Sequence, residues 1–268
     1  MNATHSNRFL AHMRAGKVEN MYSLGGFASP RHVDYICARG KFDSLWFDLE
    51  HADIAVQDLA ILNLVARAYP VSTIARFHAT DYQAVMRVME TGVGGIMCSM
   101  VENAGDARNV VQWAKFNNPR PSPGEVTGLR GWNAGGVDAR YGTVPALDYV
   151  RQQNNEVAII CQIETPEALA RLDEIVAVEG VDGFFFGPGD YAHRIGRVSE
   201  VDHPEVLDAI NQLAAACRRH KKFWGTISLN LEHYRRVKAL GAQFIGAAGD
   251  VRIMNYGFRE LLKTFDSE

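Results

Sequence analysis

The stretch Val157-Ala158-Ile159-Ile160-Cys161-Gln162-Ile163-Glu164-Thr165-Pro166-Glu167-Ala168-Leu169 decides the architecture, because an apolar run ends on an acid and passes directly into a helix start. Thr165 suits a helix cap, Pro166 the first helical position and Glu167 the first turn, where the backbone N–H groups favour negative charge. A second run, Val181-Asp182-Gly183-Phe184-Phe185-Phe186-Gly187-Pro188-Gly189-Asp190, repeats the pattern and also ends on an acid. The interval from Glu164 to Asp190 fits one strand-helix-strand unit. Parallel α/β architectures place their chemistry just past such strand ends.

Working outward, the same rhythm accounts for the rest of the chain. Further apolar runs occur at Asn20–Leu24, Ser44–Asp48, Ser72–Arg76, Gly95–Met100, Phe223–Ile227 and Gln243–Ala247. With 157–164 and 183–187 they make eight strands, the number that closes a barrel. Amphipathic stretches separate them, including Ile54–Tyr69, with Leu59, Leu62, Val65 and Ala66 on one face, and Asp81–Glu90, Ala104–Lys115 and Pro204–His220. Each parallel strand needs such a crossover to return to the same end of the sheet. The expected fold is therefore an α/β (β/α)8 TIM barrel occupying residues 1–268 as a single domain. One segment breaks the rhythm: residues 117–142 hold Pro119, Pro121, Pro123 and six glycines. A loop this long inside a compact domain is usually functional or disordered, and its position before the fifth strand predicts a place near the active-site mouth.

The 268 residues carry a formal charge of −3 with no basic stripe, which disfavours nucleic acid and anionic membranes as partners and leaves small molecules. No apolar run approaches the ~18 residues of a membrane span. The first residues, Met1-Asn2-Ala3-Thr4-His5-Ser6-Asn7-Arg8, lack the apolar segment of a signal peptide, so a cytoplasmic location is expected. Cys37, Cys98, Cys161 and Cys217 are widely spaced and form no C-x-x-C pair, which reads as buried free thiols.

Glu164 and Asp190 are the candidate metal ligands. Oxygen ligands select Mg²⁺ or Mn²⁺, which are often held by one or two carboxylates while water and substrate complete the shell. A 2-oxo acid would chelate through its carboxylate and keto oxygens. Capping of the following helix is the competing use of both acids. Gly187, Pro188 and Gly189 form a turn with few side chains, where backbone N–H groups can approach an anion. His51 lies three residues beyond Asp48 and adjoins Glu50, an arrangement suited to a base with an acidic partner; His78 is its nearest rival. Arg76 offers a fork for a substrate carboxylate, with an ion pair to a neighbouring acid as the alternative. Gln162 shares a strand face with Glu164 and would orient substrate, or serve as a satisfied structural amide.

Other chemistries are disfavoured. Lys17, Lys41, Lys115, Lys221, Lys222 and Lys238 fall before strands or on helices, and Lys263 is near the C-terminus, so no strand lysine is available for a Schiff base. Leu24-Gly25-Gly26-Phe27-Ala28 lacks dinucleotide-site spacing.

Taken together, Phe47-Asp48-Leu49-Glu50-His51, Ala75-Arg76, Gly128-Leu129-Arg130-Gly131, Gln162-Ile163-Glu164, Val178-Glu179-Gly180-Val181-Asp182-Gly183 and Gly187-Pro188-Gly189-Asp190 resemble the HpcH/HpaI aldolase family. These are the class II pyruvate aldolases of the phosphoenolpyruvate/pyruvate superfamily, and the resemblance runs from about Asn7 to Phe265. It implies a (β/α)8 barrel, a homohexamer built as a trimer of dimers that exchange their last helix, and a divalent cation (Mg²⁺ or Mn²⁺, with Co²⁺ as a further option). It also implies metal ligands at Glu164 and Asp190, a base at His51, a carboxylate-binding arginine at Arg76, an assisting amide at Gln162 and a supporting acid at Asp48. Glu90 stands where a second supporting aspartate is usual. The implied reaction is aldol cleavage of a 4-hydroxy-2-oxo acid to pyruvate and an aldehyde. Sibling reactions are oxaloacetate decarboxylation and CoA-thioester lysis, and a non-catalytic oxo-acid binder is the alternative of another class.

The chain departs from the family pattern at Phe77-His78-Ala79-Thr80-Asp81, at Met86-Arg87-Val88-Met89-Glu90, at the bulky Gly131-Trp132-Asn133-Ala134-Gly135-Gly136-Val137-Asp138 and at Tyr191. The resemblance therefore carries the pyruvate half of the chemistry and not the aldehyde half. The C-terminal stretch Val251–Phe265 is apolar at Ile253, Met254, Phe258, Leu261 and Leu262 and would supply the exchanged helix or pack on its own barrel.

Overall fold

A computed structural model describes residues 8–265; expectations resting on residues 1–7 and 266–268 lie outside this range. Eight strands form: β1 Glu19–Leu24, β2 Ser44–Asp48, β3 Ser72–His78, β4 Gly95–Ser99, β5 Ala158–Ile163, β6 Gly183–Phe186, β7 Phe223–Ile227 and β8 Phe244–Gly249. They pair in parallel, in sequence order, with β8 returning to β1, which closes the (β/α)8 barrel. All eight expected strands are present, with ends shifted by two residues at most. The helices are α1 Arg8–Arg14, α2 Pro30–Ala38, α3 Val56–Ala66, α4 Tyr82–Met89, α5 Ala104–Ala114, α6 Ala146–Glu156, α7 Pro166–Ala170, α8 Leu172–Val176, α9 Pro188–Arg194, α10 Pro204–His220, α11 Leu231–Ala239 and α12 Asp250–Phe265. Thr165 caps α7 by accepting the Ala168 N–H, as its sequence signature predicts. Among the described residues no helix is long and apolar enough to cross a membrane.

Alternation along the strands divides the side chains between two cores. Met21, Trp46, Ile74, Met97, Ile160, Phe185 and Phe244 point inward and pack with Phe9, Leu10 and Met13 of α1, which plugs the end where the strands begin. Residues of the opposite parity, such as Leu45, Phe47, Ala75, Ile159, Cys161 and Phe184, pack outward against the helices. On α3 the buried face is Leu59, Leu62 and Ala66, joined by Asn63, whose amide ties Thr91 to Thr73. All four cysteines are free and buried. Burial pushes the Cys37 thiol up to about 11 and that of Cys217 up to about 12.

One expectation about the loops requires correction. The 117–142 loop adds no residue to the cavity above Trp46 and Asp48 at the mouth of its own barrel. Leu129 N–H donates to the Gln112 carbonyl, Gly131 N–H to the Tyr82 hydroxyl, and the Arg67 guanidinium to the Val137 carbonyl. The loop therefore clads the outer helices and reaches toward the strand starts, because α5 runs antiparallel to the strands and delivers the chain to that end. The C-terminal stretch touches its own barrel at its start, where Arg252 donates to the Ser228 carbonyl, while Val251, Ile253, Met254, Phe258, Leu261 and Leu262 are between 41% and 58% exposed.

The barrel interior is filled by rings that demand small neighbours. Trp46 meets Phe185 edge-on at 5.2 Å and Phe185 stacks with Phe244 at 6.0 Å, each pair worth about 0.5–1.5 kcal/mol beyond its burial. The Phe244 ring and carbonyl occupy the space where a Cβ on Gly225 would lie. Gly225→Ala is therefore expected to destabilise the fold by about 1–3 kcal/mol, the cost of overpacking a filled core. Urea unfolding measures this, and an unchanged midpoint would contradict the packing described.

Candidate active site

The residues that point inward at the carboxyl ends of the strands are polar, in contrast to the apolar layers beneath them. Asp48 shares its strand face with Trp46, and Arg76 shares its face with Ile74. The β2–β3 register sets Asp48 directly beside Arg76. Asp48 Oδ1 accepts Arg76 Nε–H at 3.0 Å, while Oδ2 accepts from Nη2 in the second arm of a two-pronged pair. Arg76 Nη1 lies 3.3 Å from Glu50 Oε2, and its guanidinium sits 4.9 Å over the Trp46 ring. The pair thus combines charge-assisted hydrogen bonds with a cation–π contact. Two of the five Arg76 N–H bonds are taken by Asp48, and Nη1 adds an ion-pair contact to Glu50.

Asp48 also holds the turn that follows β2. Its Oδ1 accepts the backbone N–H groups of Glu50 at 3.1 Å and His51 at 3.2 Å. His51 is thereby presented at the mouth with its side chain 60% exposed and Nε2 3.9 Å from Glu50 Oε2. His78, the rival histidine, ends β3 with Nδ1 3.3 Å from the Ser99 carbonyl.

Across the mouth, Gln162 and Glu164 are almost fully buried. Glu164 Oε1 accepts the Met100 N–H at 2.8 Å, and Oε2 accepts from the Gln162 amide. Met100 points its N–H there from a left-handed backbone, φ 56°. Burial raises the Glu164 carboxyl above its ordinary range; the hydrogen bonds from Met100 and Gln162 oppose this, while the charges of Glu50 and Asp190 add to the rise. Asp190, in the first turn of α9, is exposed. Gln162 Oε1 and Glu50 Oε2 are buried without a hydrogen-bond partner. A Cβ on Gly187 would lie 2.7 Å from Glu164 Oε2 and 3.0 Å from Gln162 Nε2, so the bare turn leaves room for both side chains.

The Gly187-Pro188-Gly189 turn contributes less backbone than its sequence suggested. Gly187 N–H is used by the Ile163 carbonyl, and Pro188 has none, which leaves Gly189, with open space beside it. Glu90 is not brought to the mouth at all. It follows the last residue of α4, and that helix descends from the end of β3 to the start of β4. Sequence reasoning passed over Asp250, which accepts Gly25 N–H at 2.9 Å and Phe27 N–H at 2.8 Å and so fastens the β1–α2 loop. It also missed the support that Met100 gives Glu164. A cavity of about 840 Å³ opens above Trp46, Asp48 and His51 and extends to Asn255, Phe258 and Arg259 of α12. Among the described residues no three His, Cys, Asp or Glu side chains gather closely enough to hold a metal by themselves.

A pH dependence follows from the raised Glu164 carboxyl. The folded chain retains this proton at pH values where the unfolded chain has lost it. The resulting stabilisation is complete below the ordinary value of 4.5 and disappears as pH rises through the higher folded-state value. In metal-free buffer, the stability of the wild type relative to Glu164→Gln should therefore fall between pH 4.5 and neutrality. Urea titrations at each pH read this difference, and a pH-independent gap would refute the assignment.

Comparison with known proteins places the chain among relatives. The sequence pattern of the HpcH/HpaI aldolase/citrate lyase family matches residues 28–255. The 4-hydroxy-2-oxo-heptane-1,7-dioate aldolase of Escherichia coli is 29% identical over 263 residues, 98% of this chain and 96% of that protein. The crystal structure of an HpcH/HpaI aldolase/citrate lyase family protein from Burkholderia cenocepacia J2315 has a TM-score of 0.88 at 26% identity, covering 97% of this chain and 100% of that one. An HpcH/HpaI aldolase from Desulfitobacterium hafniense DCB-2 also gives 0.88 at 26% identity, over 97% and 96%. With the family pattern spanning the barrel from α2 into α12, this chain belongs to the HpcH/HpaI aldolase/citrate lyase family.

Proposed function

We propose that this protein is a divalent-cation-dependent carbon–carbon lyase that cleaves a 4-hydroxy-2-oxo acid to pyruvate, or a close 2-oxo acid, and an aldehyde. The carrying observation is the mouth itself: Glu164 and Asp190 on one side, and on the other an exposed His51 and Arg76, whose N–H bonds beyond the two held by Asp48 make no hydrogen bond among the described residues. The name of the 29%-identical aldolase supports the same reaction class. The donor set fits the cation. It is all oxygen, it brings like charges together around a buried carboxylate, and it includes a Gln162 oxygen without a partner.

Glu164 and Asp190 would hold Mg²⁺ or Mn²⁺, and its positive charge would favour the build-up of negative charge on a 2-oxo acid's keto oxygen. Arg76, fixed by Asp48, Glu50 and Trp46, grips the substrate carboxylate with its remaining N–H bonds. Gln162 keeps Glu164 oriented. His51 takes the proton of the 4-hydroxyl. The O–H electron pair becomes the aldehyde C=O, the C3–C4 bond breaks, and its electrons move to C2–C3 as the keto oxygen gains charge. A proton returned to C3 completes pyruvate. Glu90 takes no part within a single chain.

The assembly belongs to the same proposal. The exposed apolar side chains of α12 support exchange with a second copy in a hexameric trimer of dimers. We further propose that the enzyme works in the cytoplasm on small molecules.

Two measurements test this reading. Exchange of pyruvate methyl protons in D₂O, followed by NMR, should require added Mg²⁺ or Mn²⁺ after chelation and vanish in a folded Glu164→Ala variant. Undiminished exchange in that variant would overturn the metal assignment. Light scattering should give an oligomer for the full chain and a smaller species when the chain is ended after Gly249. A monomeric full-length chain would remove the assembly.

A further inference from the structure

Asp250, the first residue of α12, is a buried acid, 3% exposed, that the proposed reaction leaves without a task. Both of its oxygens are occupied by backbone. Oδ2 accepts Gly25 N–H at 2.9 Å and Phe27 N–H at 2.8 Å, and Oδ1 accepts Val251 N–H at 2.7 Å. Hydrogen bonds to an ionised acceptor are about twice as strong as neutral ones, so one carboxylate ties the β1–α2 loop to the first turn of α12. The joint is close-packed and reaches the turn that presents His51. A Cβ on Gly26 would lie 3.0 Å from Val251 Cγ2, and one on Gly25 would lie 3.4 Å from the Cβ of Ala52 and 3.9 Å from that of Asp48. Contacts on either side hold it in place. Arg252 Nη1 donates to the Ser228 carbonyl at 2.6 Å and Nη2 to the Leu229 carbonyl, while His32 Nδ1 lies 3.2 Å from the Phe27 carbonyl.

What this joint shapes is the cavity of about 840 Å³ at the mouth. Leu24, Gly25 and Gly26 line it from the β1–α2 loop, and Asn255, Phe258 and Arg259 line it from α12. Trp46, Asp48 and His51 line it from the barrel. Arg76, Gln162, Glu164 and Asp190, the side chains proposed to hold the 2-oxo acid and its cation, do not line this space, whereas His51, proposed to take the 4-hydroxyl proton, does. In a 4-hydroxy-2-oxo acid the 4-hydroxyl stands on the carbon that becomes the aldehyde. The part of the substrate beyond that carbon therefore extends from His51 into the cavity.

We propose that Asp250 is a positioning residue for the aldehyde half of the reaction: it joins the β1–α2 loop and α12 into one wall and so sets how the aldehyde fits, without acting on the 2-oxo acid. This role rests on the proposed lyase reaction. A displaced wall costs orientation, because a misplacement of about 1 Å by a residue remote from the chemistry is enough to slow a step severely. Exchange of pyruvate methyl protons engages no aldehyde and does not depend on that wall.

Two assays on the full chain with Mg²⁺ separate the halves: methyl-proton exchange of pyruvate in D₂O, and aldol addition of pyruvate to acetaldehyde, propanal, glycolaldehyde or glyoxylate, the reverse of the proposed cleavage. Asp250→Ala is expected to raise the KM of the best aldehyde by at least ~10-fold, as the loss of hydrogen bonds to a charged acceptor implies, with methyl exchange close to that of the wild type. Asp250→Asn, which keeps an acceptor oxygen for Gly25 and Phe27, should fall between the two. Hydrogen–deuterium exchange read by mass spectrometry follows the joint itself: the 25–27 segment should lose protection in Asp250→Ala while the strands keep theirs. Circular dichroism checks each fold, and Asp250→Asn decides if Asp250→Ala does not fold. Equal losses in both assays would mark Asp250 as a support of the whole barrel and overturn the role. An unchanged aldehyde KM, an undisturbed 25–27 segment, or a wild type that exchanges protons yet adds no aldehyde would do the same. A wild type that exchanges no methyl protons would instead count against the lyase reaction, and the aldehyde role would fall with it.

Discussion

The Arg76 guanidinium stands at the boundary between the dry interior of the barrel and its open mouth, and the geometry of the mouth depends on how that charge is held. Below it lies the Trp46 ring, continuous with the Phe185 and Phe244 packing. Beside it lie Asp48 and Glu50, which supply the counter-charge that burial requires. Because Asp48 also accepts the backbone N–H groups of Glu50 and His51, one carboxylate fixes both the arginine and the turn that carries His51. The apolar packing underneath and the polar arrangement above are therefore mechanically linked through a single ion pair.

Charge is distributed unevenly along the barrel axis. At the strand ends, Glu50, Glu164 and Asp190 lie close enough for the first and last to raise the Glu164 carboxyl. At the strand starts, Arg8, Arg67 and Arg140 line a cavity together with Asp138 and Glu156. The strand ends thus gather carboxylates while the strand starts mix both signs, and the apolar interior between them separates the two. The formal charge of the chain, −3, conceals this separation because it sums over both ends.

How much was legible in the sequence follows from the range of each determinant. Strand periodicity, the capping signature at Thr165 and the acids at strand ends are local, so the barrel and the inward-facing Asp48, Arg76, Gln162 and Glu164 could be placed without coordinates. Glu90 and the 117–142 loop could not. Both were assigned to the mouth by proximity in sequence or by resemblance, whereas the descent of α4 and α5 carries them to the other end or the outer wall. The Gly187-Pro188-Gly189 turn was read as a source of backbone donors, but its first N–H is already committed to the Ile163 carbonyl.

By itself the sequence determined the eight-stranded alternation, the helix starts and the set of side chains that face inward, because a period of two and a capping hydrogen bond are settled within a few residues. Only the tertiary structure decided which charges meet. Arg76 finds Asp48 through the β2–β3 register, Glu164 is steadied by a Met100 N–H from beyond the neighbouring strand, α12 presents its apolar side chains to solvent, and Arg67 meets the Val137 carbonyl of the long loop. Each of these depends on contacts between segments far apart in the chain, and on the burial those contacts create, which no local pattern encodes.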